Sequence, residues 1–289
     1  MKHNDISMAF DSEGVEIDIA NLVYLNPGDR VVRKPQLDYA AKKKARYEHS
    51  ESFIWILFEY GKPLAPNVSR ANLTRLIFAA TYWSEGYVSL TPDRLREELG
   101  LNRNQWSTFL KEVEGYLWEK DGALHLNDQL FFKGEISTDK NYTRLFSGFF
   151  HLLYREADGK IAQSNIGYIL QMIPFLNRQT NILAHNKKEQ DADVVLPFAL
   201  RDYCNAIEYD VSHLSRLRKV LSAIKVNGEP VVGFFNSTQE LKADGDYIII
   251  NPRLCFGGDR NAEGYKKACA LFDSVKASDA AQKKLPYKI

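Results

Sequence analysis

Four side chains in one short segment have the chemistry to read a polyanion. In Val211-Ser212-His213-Leu214-Ser215-Arg216-Leu217-Arg218-Lys219-Val220-Leu221, the apolar residues Leu214, Leu217 and Leu221 recur at helical spacing. With that stripe turned inward, the 3.6-residue period turns Ser212, Ser215, Arg216 and Lys219 outward. Arginine can bond both acceptors of a guanine edge, serine can reach a base or a phosphate, and lysine neutralises phosphate. His213 and Arg218 sit at the edges of the buried stripe and fit that task less well.

A second segment has the same plan. Trp106, Phe109, Leu110 and Val113 form the inward stripe, so Asn104, Ser107, Thr108 and Lys111 face outward, with Arg103 at the helix start. Asparagine pairs with adenine, but Glu112 and Glu114 follow closely and oppose phosphate. This second helix is therefore expected to bind DNA more weakly, or to serve as an interaction surface. Both faces also fit a plainer role as the solvated sides of packed helices.

A third basic cluster lies near the N-terminus, where Arg30, Arg33, Lys34, Lys42, Lys43, Lys44 and Arg46 are opposed only by Asp29 and Asp38. It reads either as an arm that neutralises phosphates and releases counterions or as a solvated polar helix. Across the whole chain, 38 Lys and Arg meet 37 Asp and Glu. Global charge therefore gives no case for nucleic acid, and only local clustering does.

Other chemistries lack their residues. No GxxxxGK[ST] phosphate loop, GxSxG elbow or HExxH pair occurs, and no His-x-His pair accompanies a tyrosine as in a strand-nicking enzyme. Cys204, Cys255 and Cys269 are far apart and read as reduced core thiols of a cytoplasmic protein. No catalytic residue, metal ligand or cofactor is expected. The longest apolar runs, such as Phe53 to Phe58, are too short to span a bilayer. The pairs Phe131-Phe132, Phe149-Phe150 and Phe234-Phe235 have the chemistry to stack on single strands but alternate with other apolar residues and read as core, and Arg253 reads as a surface charge or a phosphate contact.

The elements that position these faces follow one order twice. In the first half, Asn72 is expected to cap a helix through Leu73, Leu76 and Ile77, and Tyr87 to Leu90 to form a short strand. Thr91-Pro92-Asp93 opens a second helix that stops at Gly100, Asn102 caps the third, and a hairpin turns at Asp121-Gly122. In the second half, Ile166 to Ile173 form a helix ended by Pro174, Asn181 to Ala184 a strand, and Leu196-Pro197 opens a helix through Ile207. The segment at Ser212 is the third helix, and a longer hairpin runs from Val231 to Ile250. Asn141 is expected to cap a further helix between the halves, and Tyr265, Cys269, Phe272 and Val275 to line a final amphipathic one.

Each half then closes on a matching segment. Asn127-Asp128-Gln129-Leu130-Phe131-Phe132-Lys133-Gly134 and Asn251-Pro252-Arg253-Leu254-Cys255-Phe256-Gly257-Gly258 share Asn, Leu, Phe and Gly at the same offsets. The same segment after the same helix order indicates a duplicated unit. The expected fold is mainly α with small β-hairpins, an α+β chain of two tandem winged-helix domains. Its divisions are an N-terminal extension (1–50), winged helix one (51–139), winged helix two (140–260) and a C-terminal helix and tail (261–289).

These residues resemble winged-helix DNA-binding proteins of plasmids and phages, particularly replication initiators and related regulators. The likeness rests on a wing strand followed by Asn-Pro-x-x-Phe and Gly, as in Tyr247-Ile248-Ile249-Ile250-Asn251-Pro252-Arg253-Leu254-Cys255-Phe256, and on the tandem plan. It spans about two thirds of the chain, counted against a typical domain length. In the first copy, Asp128 stands where the pattern has proline. The resemblance implies a sequence-specific binder of double-stranded DNA that initiates replication or regulates transcription, with a homodimer or that machinery as further partner and no membrane. The rival expectation is a winged-helix adaptor that binds other proteins of such a machine and scarcely touches DNA.

Overall fold

The computed structural model describes residues 52–84, 87–133, 141–157, 159–235, 247–258 and 260–284, and three strands within the first fifty residues. The chain divides into two compact units, Met1–Ser52 and Phe53–Ile289. In the first, β1 (Ile6–Phe10) pairs antiparallel with both β2 (Glu16–Ile17) and β3 (Arg30–Arg33). Arg30 and Arg33 are thus strand residues, whereas Lys42, Lys43, Lys44 and Arg46 lie outside the described residues.

The second unit is a mixed α+β structure built on a four-stranded sheet. Its two central strands are β4 (Phe53–Phe58) and β10 (Asn141–Phe146), and its edges are β9 (Phe131–Phe132) and β15 (Cys255–Phe256), in the order β15-β10-β4-β9. β4 is a continuous apolar run of strand length, and its four inner residues are buried. β10 overturns one expectation, because Asn141 begins a strand and the helix α4 (Ser147–Glu156) starts only after it. Pairing with β4 along its whole length satisfies the backbone that a helix would otherwise have satisfied locally.

The register of this sheet contains a local two-fold. Trp55 pairs with Phe132 and Ile56 with Phe131 on one side, while Arg144 pairs with Phe256 and Leu145 with Cys255 on the other. Phe132 and Phe256 are the matching phenylalanines of the closing segments, so Trp55 and Arg144 occupy equivalent places. They are also directly paired with each other across β4 and β10. Equivalent residues that pair mutually define an axis between them, so the two closing segments form opposite edges of one sheet.

Above this sheet, α1 (Arg70–Thr81) packs against α5 (Gly159–Met172), with a close approach where Gly167 meets Arg70: a Cβ on Gly167 would stand 2.5 Å from the Arg70 carbonyl oxygen. Ser69, not Asn72, is the N-cap of α1. Asn72 is buried within the first turn, where its amide donates to Glu112 Oε2 at 2.6 Å and its carbonyl accepts from Arg75 at 2.6 Å. A polar side chain in the first helical turn is an N-cap only if its residue keeps extended backbone, and here Ser69 does.

The remaining first-half elements follow the residue signals. Thr91 caps α2 (Pro92–Glu98), and Asn102 and Gln105 form a reciprocal capping box on α3 (Arg103–Val113). Strands β7 (Leu117–Lys120) and β8 (Ala123–Leu126) are joined at Asp121 and Gly122, both at positive φ, as a tight two-residue hairpin requires. With β5 (Trp83–Ser84) and β6 (Tyr87–Val88) they form a sheet of order β5-β6-β8-β7.

In the second half, α6 (Leu200–Ala206) starts after Ala199 rather than at Leu196-Pro197, because Pro197 bridges to Ala184 as extended chain. A short turn at Val211–His213 leads into α7 (Leu214–Ala223). A small hairpin, β11 (Lys225–Val226) with β12 (Glu229–Pro230), precedes β13 (Val232–Phe235), which pairs with β14 (Tyr247–Ile250); Asn181 to Ala184 make only isolated bridges. The chain then forms α8 (Glu263–Lys284). No helix among the described residues is long and apolar enough to cross a membrane.

Candidate nucleic-acid interface

The closing segments fix the hairpins that flank the exposed helices, and both asparagines do this by the same bonds. Asn127 donates its amide N–H to Tyr116 O and its side-chain NH2 to Gly115 O, while its Oδ1 accepts from Gln129 N at 2.8 Å. Asn251 donates to Val231 O and Pro230 O, and its Oδ1 accepts from Arg253 N at 3.0 Å. An asparagine supplies both a donor and an acceptor from one short side chain, so it can tie a turn to the start of the preceding strand. Asn251-Pro252 and Asn127-Asp128 do this equally well, since the tie does not involve the following residue's amide.

These bonds also align the hairpins residue for residue. Leu117 pairs with Leu126 and Trp118 with His125 in the first, as Val232 pairs with Ile250 and Gly233 with Ile249 in the second. The helices before them match equally. Trp106 and Leu214 are half-buried, Phe109 and Leu217 buried, and Val113 and Leu221 buried.

All four outward residues of the second helix segment are exposed: Ser212 in the turn before α7, and Ser215, Arg216 and Lys219 on it. Arg218 is half-buried, with its guanidinium 5.1 Å from the Phe234 ring centroid, so it packs α7 onto the hairpin. His213 is exposed beside Asp210, at 3.8 Å. Asp210 accepts from the Ser212 amide at 2.9 Å, and Ser212's hydrogen bonds hold its carboxyl below the ordinary carboxylate value. The helix entrance thus carries a fixed carboxylate, and the cations Arg216 and Lys219 stand further along.

On α3, Arg103, Asn104, Ser107, Thr108 and Lys111 are all exposed. The Thr108 hydroxyl donates to Asn104 O in its own helix. Glu112, expected to oppose phosphate, is turned to another task, because its carboxylate accepts from the Ser69 amide and from Asn72 at the start of α1. Burial alone would push this carboxyl up, but those hydrogen bonds and the nearby Arg75 charge hold it below its ordinary value. Glu114 is exposed.

Arg253 makes a bidentate pair with Asp273 on α8, at 3.1 and 2.9 Å, which anchors the second closing segment to the C-terminal helix. Phe131, Phe150 and Phe234 are buried in the core. The three cysteines are free, Cys204 and Cys255 buried and Cys269 half-buried. Among the described residues, no three His, Cys, Asp or Glu side chains gather as metal ligands.

One surface feature escaped the residue patterns. Tyr87, His125 and Trp118 stand side by side on three adjacent strands of the first hairpin sheet, with Tyr87 45% and Trp118 38% exposed. The available signal was alternation along β8, where His125 sits between the buried Leu124 and Leu126. No protein-family model, no curated protein and no solved structure matches this chain.

Proposed function

We propose that this chain is a tandem winged-helix protein that binds double-stranded DNA sequence-specifically, with Ser212, Ser215, Arg216 and Lys219 as the principal reading residues. The single observation that carries this reading is the matched pair of exposed polar helix faces, each followed by a hairpin tied down by the same asparagine bonds. A third helix held against a wing is the arrangement by which such domains enter the major groove. The resemblance of Tyr247 to Phe256 to the wing ends of plasmid and phage proteins favours a replication initiator or a transcriptional regulator.

The two-fold between Trp55 and Arg144 sets the form of the site. Units related by such an axis present their reading helices in opposite directions, so the DNA carries two inverted, unequal half-sites. Arg216 and Lys219 dominate one half, and Arg103, Asn104 and Lys111 contact the other more weakly. Selection from random duplex DNA, followed by titration of the selected site, tests this. Binding that is unchanged in Arg216→Ala plus Lys219→Ala removes these residues from the interface.

A protein-binding adaptor is the second reading, favoured by the balance of 38 basic and 37 acidic residues and by the Asp210 carboxylate at the helix entrance. Salt separates the two. A DNA binder loses affinity steeply as salt rises, with a slope set by the phosphates it neutralises, whereas the adaptor is not retained on DNA even at low salt.

A further inference from the structure

The two hairpins share their register but not their cover. In the second, the row Ile182, Ile249 and Gly233 runs across adjacent chain segments, and Ile182 and Ile249 pack with Phe272 and Val275 of α8. Gly233 makes that cover possible, because a Cβ there would stand 3.0 Å from both Val275 Cγ1 and Ile249 Cγ2. The equivalent row in the first hairpin is Tyr87, His125 and Trp118, and Trp118 stands where Gly233 stands. An indole at that position denies a helix the approach that glycine allows, and it leaves the rings open to solvent.

From this geometry we infer that the Tyr87, His125 and Trp118 face is a stacking platform for single-stranded nucleic acid, distinct from the duplex-reading face of α7. The row has the breadth of three strands. The His125 and Trp118 rings are stacked, with centroids 5.8 Å apart and planes 13° apart, and Tyr87 meets His125 edge-on, at 6.1 Å and 75°. Stacking needs an exposed ring and no particular hydrogen-bond pattern, and every base has a π-face to lay against the open rings of Trp118 and Tyr87. Cations mark both margins. Lys120, exposed on edge strand β7, shares the face of Trp118 by strand alternation, and Lys133 reaches the other edge strand, donating to Trp83 O at 3.2 Å. Glu119, the nearest acid on β7, alternates to the opposite face. Lysines at both margins complement a phosphate backbone that runs across the rings.

The test titrates the full-length protein with oligo(dT) of about 12 nucleotides, a length that single-strand-binding domains occupy, and follows tryptophan fluorescence. Trp55 and Trp83 are buried, so quenching on binding reports chiefly on the more open indoles. The expected result is quenching that is lost in Trp118→Ala, with affinity lowered about a hundredfold in Tyr87→Ala plus Trp118→Ala, or about tenfold per ring. Lys120→Glu, which keeps every ring, lowers it several-fold, and Trp118→Phe retains most of it. The double variant loses the ring contacts to His125, so its thermal midpoint drops modestly, and thermal unfolding accompanies every titration so that only folded protein is compared. Three outcomes overturn the inference: absence of oligo(dT) binding by the wild type, oligo(dT) affinity unchanged in the double variant, and a wild-type dimer that the double variant converts to monomer. The last would mean that a second copy covers the row. Failure here is separable from failure of the duplex reading, since Arg216→Ala plus Lys219→Ala should lower duplex affinity by tenfold or more and leave oligo(dT) binding intact.

Discussion

Arg144 lies over Trp55, its guanidinium carbon 4.7 Å from the indole centroid, at the point where the two halves of the central sheet meet. It stands 4.9 Å from the Phe53 ring as well, so one cation is laid across two aromatic faces of the neighbouring strand. The pair sits on the local two-fold, and its two members are equivalent in position yet opposite in chemistry. A cation and an electron-rich ring attract where two identical residues would only pack.

That pairing should be felt in stability. Arg144→Ala removes the cation–π interaction and the aliphatic stem that covers the rings, and is expected to cost about 1–2 kcal/mol. Urea unfolding of the purified variant measures it. Arg144→Met, which restores the stem without the charge, should recover part of the loss.

The closing asparagines should not be equally sensitive. Asn251 is fully buried, so Asn251→Ala leaves the Arg253 amide and the Pro230 carbonyl without their partner and is expected to cost about 2–3 kcal/mol. Asn127 is half-exposed and water can replace its bonds, so Asn127→Ala should cost about 1 kcal/mol or less. Equal losses in a denaturant series would contradict this ranking.

Glu112 gives the protein an acid sensitivity of known sign. Its carboxyl is held below its ordinary value in the folded state, so its stabilising contribution is present above the unfolded value and is lost as pH falls through the folded one. Glu112→Gln should therefore be less stable than the wild type at neutral pH, with the difference shrinking below about pH 4.5. Thermal midpoints collected from pH 7 to pH 3 check both parts.

The cover of the second hairpin depends on one missing side chain. Gly233→Trp, which copies the first hairpin's residue into the second, is expected to expel α8 from the Ile182 and Ile249 row. Amide exchange across 263–276 should accelerate sharply while that of β4 and β10 stays slow. Unchanged protection of α8 would show that the helix can shift to admit an indole.

On duplex DNA, the two helices should rank. Arg216→Ala plus Lys219→Ala is expected to lower affinity by tenfold or more and to reduce the salt slope by about two, one for each phosphate that is no longer neutralised. Arg103→Ala plus Lys111→Ala should have a smaller effect on both. Fluorescence anisotropy at several salt concentrations reads affinity and slope together.

The sequence by itself determined the local elements whose signals are short-ranged. Thr91-Pro92, Asn102 and Asp121-Gly122 each specify a cap or a turn through bonds and dihedral angles within four residues, and all three form as read, with Gln105 completing the cap at Asn102. The outward faces of α3 and α7 were legible for the same reason, since a helical period assigns burial along one element. What only the tertiary structure decided were the long-range pairings. Whether Asn141 begins a strand or caps a helix depends on β4, more than 80 residues earlier, offering an unpaired edge. Whether Asn72 caps a helix or lies buried depends on Glu112, 40 residues on. The four-stranded sheet, its two-fold and the uncovered Tyr87, His125 and Trp118 row likewise arise from pairings between distant segments. A pattern confined to one segment carries no record of which partner completes its hydrogen bonds or which helix covers its face.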